Sequence, residues 1–120
     1  MYAYRTLEAW KRAHQVALYV MRATDLPVHP RARSIFEQIR RSVVSVEANI
    51  VEGYALGTPL QCRRHLRIAM GSAAEAECLT RLAGELGYLG EDVVKQSERQ
   101  LGDTMRALHG LVRSPPTHRT

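Results

Sequence analysis

The fold class this sequence predicts is all-α: an antiparallel, up-down-up-down four-helix bundle in a single domain of 120 residues. Three observations carry that expectation. Apolar residues recur at three- and four-residue spacing, and no segment alternates with the period of two that a half-buried strand needs. Proline and glycine cluster at four places and cut the pattern into four stretches of helical length. The connections between those stretches are short, which favours helices that fold back on their predecessors.

Leu26-Pro27-Val28-His29-Pro30 ends the first stretch and Gly57-Thr58-Pro59 the second. Gly87-Tyr88-Leu89-Gly90 ends the third and Ser114-Pro115-Pro116 the fourth. Helices are expected near residues 6–24, 31–56, 59–86 and 91–112. Residues 1–113 then form the bundle, and 114–120 are expected to be a disordered tail.

In the first helix Leu7, Trp10, His14, Ala17, Leu18 and Met21 share a stripe. The second helix offers Ile35, Ile39, Val43, Val46 and Ile50, and Pro30 suits its first turn. The third opens on Thr58-Pro59-Leu60-Gln61, a capping box with the favoured proline inside it. Its stripe is Leu66, Ala69, Ser72, Ala73, Ala76, Leu79 and Ala83, and Gly87 is a natural left-handed stop. The fourth carries Val94, Leu101, Met105, Leu108 and Val112.

The second helix has a further apolar face. Val44, Ala48, Val51 and Ala55 lie more than about 100° from its first stripe. One stripe suffices for a surface helix in a monomer, so two suggest that an identical subunit covers the second. Between the faces runs a polar seam of Gln38, Ser45, Asn49 and Glu52, with Ser42 beside it. Such a seam is costly to bury unpaired. Ser72 and Glu75 on the third helix are its expected partners, with Arg40 or Arg41 meeting Glu75 or Glu52 across a helix or subunit interface. A buried pair of that kind sets register more reliably than it adds stability.

The composition narrows the function classes. Hydrophobic residues make up 45% and charged residues 24%, enough to build a core. No stretch reaches the roughly 18 apolar residues of a membrane span, and Met1-Tyr2-Ala3-Tyr4-Arg5 lacks a signal-peptide core, so a cytoplasmic protein is expected. Cys62 and Cys78 fall on one helix, roughly 24 Å apart, and cannot form an intrachain disulfide. The histidines, His14, His29, His65, His109 and His118, are scattered, and no Glu has a His three residues later, so neither a metal nor another cofactor is expected. His14 and His65 read instead as satisfied core or interface residues. Phosphate-loop, dinucleotide and nucleophile-elbow motifs are absent, which argues against an enzyme.

The net charge is +5. Residues 1–67 hold 11 Lys and Arg against 5 Asp and Glu, while 68–120 hold 6 against 7. Fifteen of the 17 basic residues are arginine, the side chain that binds phosphate bidentately. The candidate nucleic-acid contacts are Arg63, Arg64 and Arg67, then Arg31 and Arg33, then Lys11 and Arg12. No aromatic residue interleaves with the arginines, so backbone contact without base stacking is expected.

Several segments together resemble a known family. They are Leu7-x-x-Trp10-x-x-Ala13, Leu26-Pro27, Gln38-Ile39-Arg40-Arg41, Asn49-Ile50-Val51-Glu52-Gly53, Gly71-Ser72-x-x-Glu75 and Leu86-Gly87-Tyr88-Leu89. They resemble the bacterial four-helix-bundle family that includes proteins encoded in intervening sequences of 23S ribosomal RNA genes. That family is distantly related to accessory proteins of diversity-generating retroelements. The chain differs in Val43, Val44 and Val51, where smaller residues are usual, and in Leu26, where Phe is common. The resemblance implies a homopentameric ring, and its retroelement branch implies a basic surface that meets nucleic acid and a larger nucleic-acid enzyme. Gly53 and Gly71 are then expected where backbones come close. The function expected is a non-enzymatic oligomer binding RNA or DNA non-specifically, as an accessory factor. The alternative is an oligomeric protein-interaction scaffold whose charge is incidental.

Overall fold

Local chemistry sets each helix end. A computed structural model describes residues 3–27 and 29–113. A short 3-10 turn, Ala3–Thr6, leads into α1 (Glu8–Ala23), followed by α2 (Pro30–Ala55), α3 (Pro59–Glu85) and α4 (Glu91–Arg113). Every helix boundary lies within two residues of its expected place. The tail expected at 114–120 lies outside the described residues. Among the described residues there is no strand, and no helix is long and apolar enough to cross a membrane.

α1 starts with Glu8 in its first turn, where a carboxylate suits the helix dipole. It ends at Thr24, whose hydroxyl donates to the Val20 carbonyl at 2.8 Å. His29 caps α2: its Nδ1 accepts from the Arg31 backbone N–H at 3.1 Å, and Pro30 takes the first helical position. Gly57, with φ of 82°, turns the chain after α2. Thr58 then accepts from the Gln61 backbone N–H at 3.2 Å, the expected cap, while its hydroxyl donates to the Gln61 side-chain oxygen at 2.8 Å. Gly87, with φ of 79°, ends α3 in a Schellman motif. Tyr88 N–H donates to the Ala83 carbonyl and Gly87 N–H to that of Gly84.

α1 packs on α2 and α4, and α3 packs on the same two helices, so the four surround one core. α2 supplies its large residues: Phe36, Ile39, Val43, Val46 and Ile50. α3 faces it with Cys62, Leu66 and then Ala69, Ala73, Ala76 and Ala83. That run of alanines lets α2 and α3 lie close. Gly53 marks a tight point, since a Cβ there would sit 3.1 Å from His65 Cβ and 3.2 Å from the Cys62 carbonyl oxygen. Gly71 corrects the expectation of a second close approach, because a Cβ there would meet nothing within 4 Å.

The expected stripe on α1 also needs correction. Its buried residues are Ala9, Ala13, Val16, Ala17 and Val20, whereas Leu18 is 41% exposed. Of the expected residues, Ala17 is buried, and Leu7, Trp10 and Met21 are partly buried against the core. The core side of α1 is built from smaller residues, which a pattern weighted by size misplaces. α4 follows expectation at Leu101 and Leu108 and adds buried Ser97 and Thr104.

Ser97 is fully buried and its hydroxyl has no hydrogen-bond partner among the described residues, unlike Ser42 and Thr104, which donate to backbone carbonyls one turn back. Ser97→Ala removes an unsatisfied polar atom and improves helix propensity. It should raise stability by about 1 kcal/mol, read as a higher denaturant midpoint at unchanged slope.

The two glycines should respond in opposite directions. Gly71→Ala adds helix propensity in open space and should stabilise the fold by up to about 1 kcal/mol. Gly53→Ala forces α2 away from α3 and should cost about 1 kcal/mol net. Thermal melts of the two variants check this, and a stabilising Gly53→Ala would disprove the close approach.

Candidate nucleic-acid interface

The polar seam on α2 meets α3 through side chains that answer one another. Ser45 Oγ and Ser72 Oγ are 2.9 Å apart. Asn49 Nδ2 donates to the Ser45 carbonyl at 2.9 Å and to its hydroxyl at 3.1 Å. A carbonyl only accepts, so the amide nitrogen of Asn49 must face Ser45 and its oxygen must face away. That oxygen lies 2.9 Å from His65 Nδ1. His65 therefore carries a proton on Nδ1 and donates to Asn49. Glu52 Oε1 is 3.6 Å from the same nitrogen. Farther along α2, Gln38 Nε2 donates to Glu75 at 2.7 Å.

The expected contact of Arg40 or Arg41 with Glu75 or Glu52 is not made among the described residues of the chain. Arg41 donates to Gln38 Oε1 at 2.6 Å, so Gln38 stands between the guanidinium and Glu75. Arg40 lies on the opposite flank of α2, two residues and about 200° from Gln38. It donates to the Met21 carbonyl at 3.0 Å and to Thr24 Oγ1 at 2.7 Å. The free carbonyls at the end of α1 claim it, as such groups do where a cation is within reach. His14, the other histidine singled out, stacks on Trp10 with ring centroids 4.8 Å apart and meets Glu47 at 3.0 Å.

The second apolar face of α2 is present and uncovered. Val44 is 44% exposed, Ala48 and Val51 are half-buried, and Ala55 is exposed. The His14–Glu47 and Arg40–Met21 contacts bracket Leu18 and Val44, which makes one apolar strip of the α1 and α2 flanks.

The arginines fall into separate groups. Arg63, Arg64 and Arg67 stand around His65 in the first turns of α3; Arg63 is half-buried and the other two are exposed. None of the three has an ion-pair partner among the described residues. Residues 59–74 contain no Asp or Glu at all. α1 and α4 place Glu8, Glu91 and Asp92 in their first turns, but α3 has no acid in that position. Arg31 and Arg33 open α2, roughly 30 Å along that helix from Glu52 and so from the His65 group. Arg12 is tied to Glu8 at 2.8 Å and lies 3.7 Å from Asp103, while Lys11 is exposed. The seven candidates thus form one group on α3 and two outlying pairs, and only Arg12 among them has an ion-pair partner among the described residues.

Burial pushes the Cys62 thiol up, with neighbouring Arg63 pulling part of the way back, and burial pushes the Tyr54 phenol up. No group of three or more His, Cys, Asp or Glu able to hold a metal occurs among the described residues.

A family model described as 23S rRNA-intervening sequence protein matches residues 5–110. The chain belongs to that family. The match spans all four helices, the seam and the α3 arginines. Comparison with curated proteins returned no match.

The seam yields a direct test. Asn49→Ala leaves the His65 N–H and the Ser45 carbonyl without their partner and should cost about 1–3 kcal/mol. The Asn49→Ala and His65→Ala losses should not add, with a coupling of at least about 0.5 kcal/mol. Additive losses in denaturant melts would show that the bond does not form.

Proposed function

We propose that this chain is a non-enzymatic, homo-oligomeric four-helix-bundle protein. It binds RNA or DNA without sequence preference through arginines led by Arg63, Arg64 and Arg67, as an accessory to a larger nucleic-acid enzyme in the cytoplasm. The observation that carries the reading is the acid-free opening of α3, with its unpaired guanidinium groups, in a member of the 23S rRNA-intervening sequence protein family. Cations near a helix start gain nothing from the helix dipole, so local stability does not explain their place. Arginine suits phosphate through its planar fork of donors.

Antiparallel order is part of the same reading, and the cross-helix pairs support it. Asn49 meets His65, Ser45 meets Ser72 and Gln38 meets Glu75, so numbers fall on α2 as they rise on α3. His14 with Glu47 and Met21 with Arg40 behave alike between α1 and α2. The Leu18–Val44 strip supports self-association, with a pentameric ring as the assembly. Copies of the α3 arginines around a ring would add phosphate contacts without any new residue.

Fluorescence anisotropy with a labelled duplex, repeated across salt concentrations, tests the proposal. Binding should weaken linearly in log–log form, by about 0.9 in slope for each phosphate contact. The change Arg63→Ala, Arg64→Ala, Arg67→Ala should lower both affinity and slope while the helical circular dichroism signal is kept. Absence of binding at about 50 mM salt would remove the nucleic-acid role and leave the protein-interaction scaffold.

A further inference from the structure

We infer that the phosphate-binding surface is a groove between α3 and α4, whose second wall is Arg106, His109 and Arg113 near the end of α4. The inference rests on the nucleic-acid reading above and gives it a second set of residues. It starts from an open groove of about 510 Å³ with Ala73 and Ala74 on one side and Gly102 and Met105 on the other. That groove fixes which sides of α3 and α4 face each other. Register along it is also fixed. Arg81 bridges to Glu98 at 2.6 Å, and a Cβ on Gly84 would lie 2.6 Å from a Val94 methyl. As numbers fall along α3 from 84 to 73, those on α4 rise from 94 to 105.

The two rows continue in step. From Ala74, steps of four, three and four residues along α3 reach Met70, Arg67 and Arg63. From Gly102, the same steps along α4 reach Arg106, His109 and Arg113. Such steps keep to one side of a helix. Both rows leave the groove in the same direction and run about 16 Å. Arg67, Arg106, His109 and Arg113 are exposed, and Arg63 is half-buried.

Charge sorts along this groove. Residues 59–74 and 104–113 contain no Asp or Glu. Arg113 has no ion-pair partner among the described residues, while Arg106 pairs with Asp103. Glu77 and Glu98 line the far side of the open middle itself, where they hold Arg81, and Glu85, Glu91 and Asp92 follow. One half of the groove attracts a polyanion and the other repels it. Helices pack about 8–10 Å apart, so walls this close grip one sugar–phosphate strand from both sides. The chemistry recognised is the phosphodiester backbone, because no Phe, Trp or Tyr stands in either row.

The test uses the full chain and a fluorescein-labelled RNA duplex of arbitrary sequence at about 50 mM salt. Arg106→Ala with Arg113→Ala should weaken binding about tenfold and lower the salt slope by about 1 to 2. Arg106→Lys with Arg113→Lys should recover most of the loss, which a folding defect would not allow. Arg31→Ala with Arg33→Ala removes equal charge away from the groove and should have a smaller effect. If the two alanine pairs weaken binding equally while the α3 triple change abolishes it, the α4 wall is wrong and the nucleic-acid reading stands. If the unaltered chain does not bind the duplex, that reading has failed. Polyglutamate competing as well as unlabelled duplex at equal charge would also overturn the inference, in favour of an acidic protein partner.

Discussion

Asn49 joins two helices with one amide. Its nitrogen reaches back to the Ser45 carbonyl on α2 and its oxygen reaches across to His65 on α3. A slip of one residue between the helices would separate both bonds from their partners in a half-buried position, where an unmet polar group costs more than a bond gains. The alanines of α3 make the bond possible by letting the helices close up, and Gly53 removes the one Cβ that would hold them apart. Hydrophobic burial drives the four helices together; the seam decides which residues meet. The start of α3 is then fixed beside the end of α2, and the α3 arginines are fixed with it.

Much of this was legible in the sequence because it rests on short-range chemistry. Thr58-Pro59 and Gly87 mark helix ends through their own backbone preferences, so α3 could be bounded closely. The seam was visible as polar residues at helical spacing between two apolar stripes. Two features were not legible for physical reasons. Hydropathy weights large side chains, so the periodicity of α1 pointed at Trp10 and Leu18, while the fully buried positions are smaller residues such as Ala13 and Val16, with Trp10 partly buried beside them. The partner of Arg40 depends on where α1 ends in space, since the carbonyl of Met21 attracts a guanidinium only once α1 and α2 are packed. Sequence also suggested a basic first half and a neutral second half. The inferred groove would divide charge differently, since residues 59–74 of α3 and 104–113 of α4 both lack Asp and Glu.

The two surfaces named for assembly and for binding lie on different flanks. Among the described residues α1 packs beside α2 and α4, and α3 packs beside the same two, so α1 and α3 sit on one diagonal and α2 and α4 on the other. The outer edge between α1 and α2 is therefore opposite the outer edge between α3 and α4. The apolar strip of Leu18 and Val44 belongs to the first, and the basic rows belong to the second. A neighbour that covers the strip leaves the rows open to solvent. Burying apolar area on one flank gains free energy without desolvating a guanidinium on the other. Were both on one edge, each subunit added would bury charge and the assembly would oppose itself. In the proposed oligomer, that separation would let association multiply phosphate contacts, and a groove of modest affinity in one protomer would become a salt-sensitive polyvalent surface.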